Sequence, residues 1–358
     1  MEETTQHEGR TRGRRAGDAF VVTLVAACVV VGLIALWKVR VVLALILLGF
    51  TIAAAMRPGI DRLARHGVPR GVGVLLHYLA FVLVLAAFLS YVVPTATTEV
   101  QHALATAQTA HVGKGSSSLK ERALADLSRH LHHLPSSGSV VRRSVSVGEA
   151  AMKALVGIFF TFAVAAYWVF ERDRAVDLVT GLLPRPKRKR VRDTWTLIDQ
   201  KLGAFVRGEL ILIAFVSVLA SITFVLAGEP YWLLLGIAVG ILEIVPVVGP
   251  LVALGVTVAA GLTVSWHVAA LAGGGLLAIR LVEDYAVTPR VLGGSVGLPP
   301  LLTLVSVSVI GILIGGFYVL LSIPLASIVA TVVDVAVRDV DPAEVETPTV
   351  LFPAQDSG

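Results

Sequence analysis

The few ionisable residues in the last third of this chain stand where long apolar runs are interrupted. Glu243 lies three residues before Pro246-Val-Val-Gly-Pro250, Arg280, Glu283 and Asp284 follow an apolar run from Trp266, and Arg207-Gly-Glu209 opens another at Leu210. At the centre of a bilayer an acidic side chain costs about 2.5–3.5 kcal/mol on insertion scales unless it faces water, a cation or a partner. Beside a broken helix, where unwound carbonyls are also freed, such a carboxylate can take a cation, a proton or a polar solute. Glu243 and Glu209 are thus candidates for ion coupling or substrate contact, with Arg207, Arg280, Glu283 and Asp284 beside them. A structural reading also fits: Glu243 as an ion pair with Arg280 or as an interfacial helix end, Glu283 and Asp284 in a network with Arg280 and Arg290, and Arg207 and Glu209 snorkelling to head groups.

Other chemistries lack their residues. There is no Walker-type phosphate loop, no nucleophile elbow and no cysteine–histidine metal spacing, so neither catalysis, ATP coupling, a cofactor nor a metal is expected. Cys28, the single cysteine, lies in an apolar run and is expected to serve packing. His102, His111, His130, His132 and His133 share one polar segment, but the last three cannot all lie on one helix face, which favours solvated histidines over a metal site.

The elements that must position these residues are apolar helices. Of 358 residues 56% are hydrophobic and 15% charged, against roughly a quarter charged in a soluble domain, and the mean hydropathy is +0.82. The class is an all-α polytopic integral membrane protein. The net charge of +5 comes from basic residues beside apolar runs, the pattern of the positive-inside rule, and no nucleic acid is expected as a partner.

Residues 1–18 read as a disordered cytoplasmic tail and 19–94 as three spans, the first two joined in a tight hairpin at Lys38-Val39-Arg40. A basic loop with Arg57, Arg62, Arg65 and Arg70 around Pro58 and Pro69 follows, then a span from Gly71 to Val93 in which His77 bonds a neighbouring helix. Residues 95–150 read as an extracytoplasmic helical insert with a capping box at Ser118-Leu-Lys-Glu121 and a stripe of Leu124, Leu127, Leu131 and Leu134. Residues 151–171 form the fourth span. A basic loop and interfacial helix occupy 172–206, where Arg185 to Arg192 would meet anionic lipid head groups and Trp195, Ile198, Leu202 and Phe205 an interface. The core transport region, 207–334, holds two hairpins broken by proline and glycine, around Pro246–Pro250 and at Gly315-Gly316 with Pro324. Their arms are shorter than the roughly twenty residues of a comfortable span. A disordered cytoplasmic tail, 335–358, ends the chain. Counting crossings places the insert outside and both termini in the cytoplasm of a bacterial inner membrane.

Three stretches, FVRGELILIAF, ILEIVPVVGPLVA and VEDYAVTPRVLGGSVGLPPLL followed by SIPLA, resemble signatures of the autoinducer-2 exporter family of membrane permeases, and the similarity covers most of the chain. Arg207, Gly208, Glu209, Pro246, Gly249, Pro250, Glu283, Pro289, Gly297 and Pro324 match its pattern. Tyr285 stands for a usual Asn, Pro299 for a His, Val247 for an aromatic residue and Tyr318 for a glycine. The resemblance implies about eight membrane helices, an external insert after the third, and a homo-oligomer; family members are associated with export of autoinducer-2 and some with sodium–proton exchange. The expected function is a permease that exports or exchanges a small solute or ion, by alternating access about the broken hairpins and coupled to protons or sodium. The alternatives are a membrane scaffold that holds partners through the insert and basic loop, and an ion channel.

Overall fold

A computed structural model describes residues 3–110, 137–245, 248–291 and 299–345, and the elements among them are all helical. In chain order they are α1 (Glu3–Arg65), α2 (Arg70–Ala110), α3 (Ser137–Gly181), α4 (Arg185–Ala227), α5 (Trp232–Leu242), α6 (Val248–Val264), α7 (Trp266–Val282), a π-helical turn (Glu283–Val287), α8 (Thr288–Val291), α9 (Pro300–Leu313), α10 (Gly316–Val319) and α11 (Ser322–Ala336). Two compact units divide at Leu47/Leu48. Among the described residues five helices are long and apolar enough to cross a membrane, and α5, α6, α9 and α11 are shorter apolar helices. The capping box at 118–121 and the leucine stripe at 124–134 lie outside the described residues, as do Pro246, Val247 and Gly297.

Several expected turns are helical. α1 runs through Lys38-Val39-Arg40 instead of reversing there. That tripeptide offers neither proline nor glycine, and Lys and Arg are good helix formers; the Arg40 guanidinium lies 3.8 Å over the Trp37 ring. Cys28 is exposed, not packed. Downstream, α1 absorbs Pro58 and most of the expected basic loop, leaving only residues 66–69 between it and α2. The loss of the first hairpin removes one reversal from the crossing count on which the expected orientation rested. His77 is corrected too: its Nδ1 bonds the Gly73 carbonyl of its own helix at 2.8 Å, not a neighbouring helix.

The expected interfacial helix and fifth span are likewise one helix, α4, of 43 residues, about 65 Å at 1.5 Å per residue. Gly203 does not break it because its lack of a side chain is used for approach: a Cβ there would strike the carbonyl of Ala54. α4 ends where a glycine is needed, at Gly228 with φ of 82°. Glu229 N–H reaches back to the Phe224 carbonyl at 2.9 Å and Gly228 N–H to Val225 at 3.2 Å, closing the helix end.

α4 is the spine of the second unit. α5 seats on it through Gly236 and Gly240, where a Cβ would collide with Ser221 and Ser217. Around this seam Val216, Ala220, Phe224, Leu235, Val239, Ala253, Ala272, Leu276 and Ile279 form one buried cluster from α4, α5, α6 and α7. Ser265 turns α6 into α7 by accepting a bond from Val268 N–H at 3.2 Å, an N-cap. The second hairpin pairs α9 with α11 around a break from Ile314 to Leu321. Pro324 does not make that break: it sits buried in the first turn of α11, where its missing N–H leaves no helical bond unmade. Lys201 of α4 donates to Thr331 of α11 at 3.0 Å.

Gly240→Leu is expected to unseat α5 at a cost of about 1–3 kcal/mol, the usual penalty of overpacking. Gly255→Ala on α6, where an added methyl group meets open space, is expected to gain up to about 1 kcal/mol from helix propensity. Thermal unfolding of the purified variants in detergent checks both; a Gly240→Leu protein as stable as the parent would refute the close seam.

Candidate functional site

The first break is built by short bonds at the end of α5. Glu243, Ile244 and Val245 N–H groups donate to the carbonyls of Gly240, Ile241 and Leu242 at 3.1–3.2 Å, an i to i+3 tightening, and Gly249 N–H returns to Val245 at 2.8 Å. A Cβ on residue 249 would strike the Leu242 carbonyl, so only glycine lets the start of α6 fold this closely against the end of α5. Pro250 occupies the first turn of α6, where its missing donor costs nothing.

The carboxylate thus placed meets Arg280 from the last turn of α7. Arg280 Nη1 donates to Glu243 Oε2 at 2.8 Å and to Glu283 Oε2 at 2.9 Å, while Nη2 lies 3.2 Å from Asp284 Oδ1. The Glu243 and Glu283 side chains are only 8% and 5% exposed; that of Asp284 is 46% exposed. Arg280 reaches Glu283 and Asp284 because residues three and four apart share a helix face. The π-helical turn that begins at Glu283 has a local cause in Pro289, which offers no N–H to the Tyr285 carbonyl and whose ring would crowd it in a regular helix. Three carboxylates around one guanidinium leave two negative charges in excess when all are ionised. Breaking such a buried pair by removing one member costs about 3–5 kcal/mol, because the other charge is stranded.

Other expected members separate. Glu209 lies within electrostatic range of Glu243, Glu283 and Arg280 but forms none of their ion pairs. Arg207, two residues earlier, turns the other way and donates to the Ala55 carbonyl of α1 at 3.4 Å. Arg290 bonds the Ala286 carbonyl at 3.1 Å instead of joining the acidic pair.

Beside the cluster lies a cavity of about 350 Å³. Its apolar wall includes Val216 of α4, Leu251 and Leu254 of α6, and Leu276 and Ile279 of α7; its polar members are Glu243, Arg280 and Glu283. A mostly apolar pocket of this size with a few convergent polar groups is the usual form of a small-molecule site.

With this geometry in place, the comparisons with known proteins are specific. A family model described as AI-2E family transporter matches residues 26–338. This chain belongs to that family. Three relatives carry names of the form "Putative transport protein". One from Bacillus subtilis (strain 168) is 25% identical over 50% of this chain and 53% of its own length, so the match spans about half of that relative. One from Methanothermobacter thermautotrophicus is 25% identical over 67% of this chain and 70% of its own. One from Mycobacterium tuberculosis is 25% identical over 87% of each. As an AI-2E family member with these apolar helices, the chain is a multi-pass membrane protein.

Two features of this family member escape sequence reasoning. The basic run sorts into tied and free residues: Arg188 bonds the Leu183 and Gly181 carbonyls, Arg190 pairs with Asp339 and Arg192 with Asp177. Arg172 is drawn inward onto Asp199 at 2.7 Å and Thr196 at 3.0 Å. Second, Glu229, in the turn after α4, is 2% exposed and neither carboxylate oxygen has a hydrogen-bond partner among the described residues. Its place beside Pro230 signals a turn and nothing more.

Burial pushes the Glu229 carboxyl above its ordinary 4.5. A carboxyl raised in the native state stabilises while protonated, so its contribution is complete below the unfolded-state value and is lost as pH climbs through the native one. Glu229→Gln is therefore expected to stabilise by about 1 kcal/mol at pH 8 and by nothing measurable at pH 4. Thermal unfolding at the two pH values reads this directly; an equal effect at both would refute it.

Proposed function

We propose that this chain is a permease of the bacterial inner membrane that exports or exchanges a small solute by alternating access about its two broken hairpins, with protons or a cation exchanging at Glu243. The observation that carries the reading is the cavity bounded by α4, α6 and α7 with Glu243, Arg280 and Glu283 in its wall. A mostly apolar pocket of that size suits a small solute. The two buried carboxylates, Glu243 and Glu283, carry one more negative charge than Arg280 neutralises, and binding a proton or a cation relieves it. Movement of the α6 arm relative to α7 would change what those carboxylates face, coupling charge to access. The basic residues that follow α3 favour a cytoplasmic side for that turn. Autoinducer-2, the cargo associated with the family resemblance, is the comparison solute, for whose polar groups the hydrocarbon wall offers few partners.

Protein reconstituted in liposomes under an imposed pH gradient is expected to move a small solute with saturation. Glu243→Gln is expected to lower that flux about tenfold or more, with assembly unchanged on gel filtration. Unaltered flux would remove Glu243 from the mechanism. Non-saturating conductance would favour a channel, and the absence of any flux with a tightly co-purifying partner would favour a scaffold.

We also propose that Arg185, Lys187 and Lys189 hold anionic lipid. All three are exposed and have no ion pair among the described residues, and the preceding turn exposes Leu182 at 88%, an apolar side chain suited to the acyl boundary beneath the head groups. Phosphatidylglycerol retained by the purified protein, measured by mass spectrometry, is expected to fall when all three are replaced by Ala; undiminished retention would overturn the assignment.

A further inference from the structure

We infer that the cavity beside Glu243 takes a monovalent organic cation with an apolar body, such as an alkylammonium or arylammonium ion, in preference to an anion or a hydroxyl-rich neutral solute. The inference rests on the transport reading above and names its cargo class. Apart from Glu243, Arg280 and Glu283, every lining side chain is hydrocarbon; no Ser, Thr, Asn or Gln is among the described residues of the wall. A solute rich in hydroxyl groups would leave its donors and acceptors unmatched there, whereas an aliphatic or aromatic body is matched along the whole wall. At about 30 Å³ per water in the liquid, the space equals about a dozen waters, so the body has about that many non-hydrogen atoms.

The charged end fixes the sign. Arg280 Nη1 takes Oε2 of both Glu243 and Glu283, and neither contact uses Oε1. Both carboxylates are more than nine-tenths buried and both line the cavity. With Asp284 on the other guanidinium nitrogen and Glu209 close by, an entering anion meets uncompensated negative charge. An ammonium group meets the acceptors that Arg280 leaves unused, while a bare sodium ion would satisfy the charge and leave the apolar space unfilled.

Titration calorimetry on the purified full-length protein tests this with three probes of one shape: benzylammonium, neutral benzyl alcohol and benzoate. Benzylammonium is expected to bind at least about tenfold more tightly than benzyl alcohol, and benzoate not at all. Glu243→Gln is expected to weaken benzylammonium about tenfold or more, and Glu283→Gln serves as the second charge variant should Glu243→Gln unfold. Ala253→Leu, which narrows the cavity without altering charge, is expected to weaken benzylammonium more than methylammonium. Benzyl alcohol or benzoate binding as tightly as benzylammonium, equal weakening of both amines by Ala253→Leu, or no binding of any probe would overturn the inference. Because binding is read without a membrane, the two readings fail separately. Saturable flux of another solute with no amine binding overturns only the cargo class, and amine binding without flux of any solute overturns only the transporter.

Discussion

Arg280 is the one positive charge on which Glu243, Glu283 and Asp284 all converge, and the arrangement of the core follows from that sharing. A guanidinium is planar and always protonated, so it can hold several carboxylates with separate donors where a lysine would offer a single point of charge. Two of its partners lie on the same stretch of chain and come to it by helical periodicity. The third, Glu243, belongs to another helix and comes only because α5 stops where it does. The ion cluster therefore ties the end of the first broken helix to the end of α7, and it forms the polar end of the cavity bounded by α4, α6 and α7.

That convergence needs backbones to approach closely. Gly236 and Gly240 bring α5 down onto Ser221 and Ser217 of α4, and Gly249 brings α6 against the end of α5. Within a bilayer, where lipid tails are as apolar as leucine, helices gain from intimate packing and not from hiding hydrocarbon. Small residues are thus found on the faces that meet, and large apolar ones such as Leu226, 80% exposed, on the faces that do not.

The membrane class was legible from the apolar runs, and the breaks of the two hairpins from the close grouping of Pro246, Gly249 and Pro250 and of Gly315 and Gly316 within them. The pairing of Glu243 with Arg280 was legible as one of two readings, since a lone carboxylate in an apolar stretch requires a partner. The continuity of α1 was not, because Lys38 and Arg40 lower the local hydropathy as a loop would while still favouring a helix. Nor was the inward turn of Arg172 or the capture of Arg190 by Asp339: both depend on residues distant in the chain, and identical arginines in a basic run carry no mark of which will find a partner. Pro58 and Pro324 mislead in the same way, since a proline can reside in a helix or open one, and only the surrounding packing decides.

The seam between α4 and α5 has a mechanical consequence. Two backbones meet there across glycine and serine, and Phe224, Leu235 and Val239 interlock beside them, so displacing one helix along the other requires the core to repack. The long uninterrupted α4, linked to α11 through Lys201, and the α5 seated on it therefore form one stiff body, against which α6 is set by the break after Leu242.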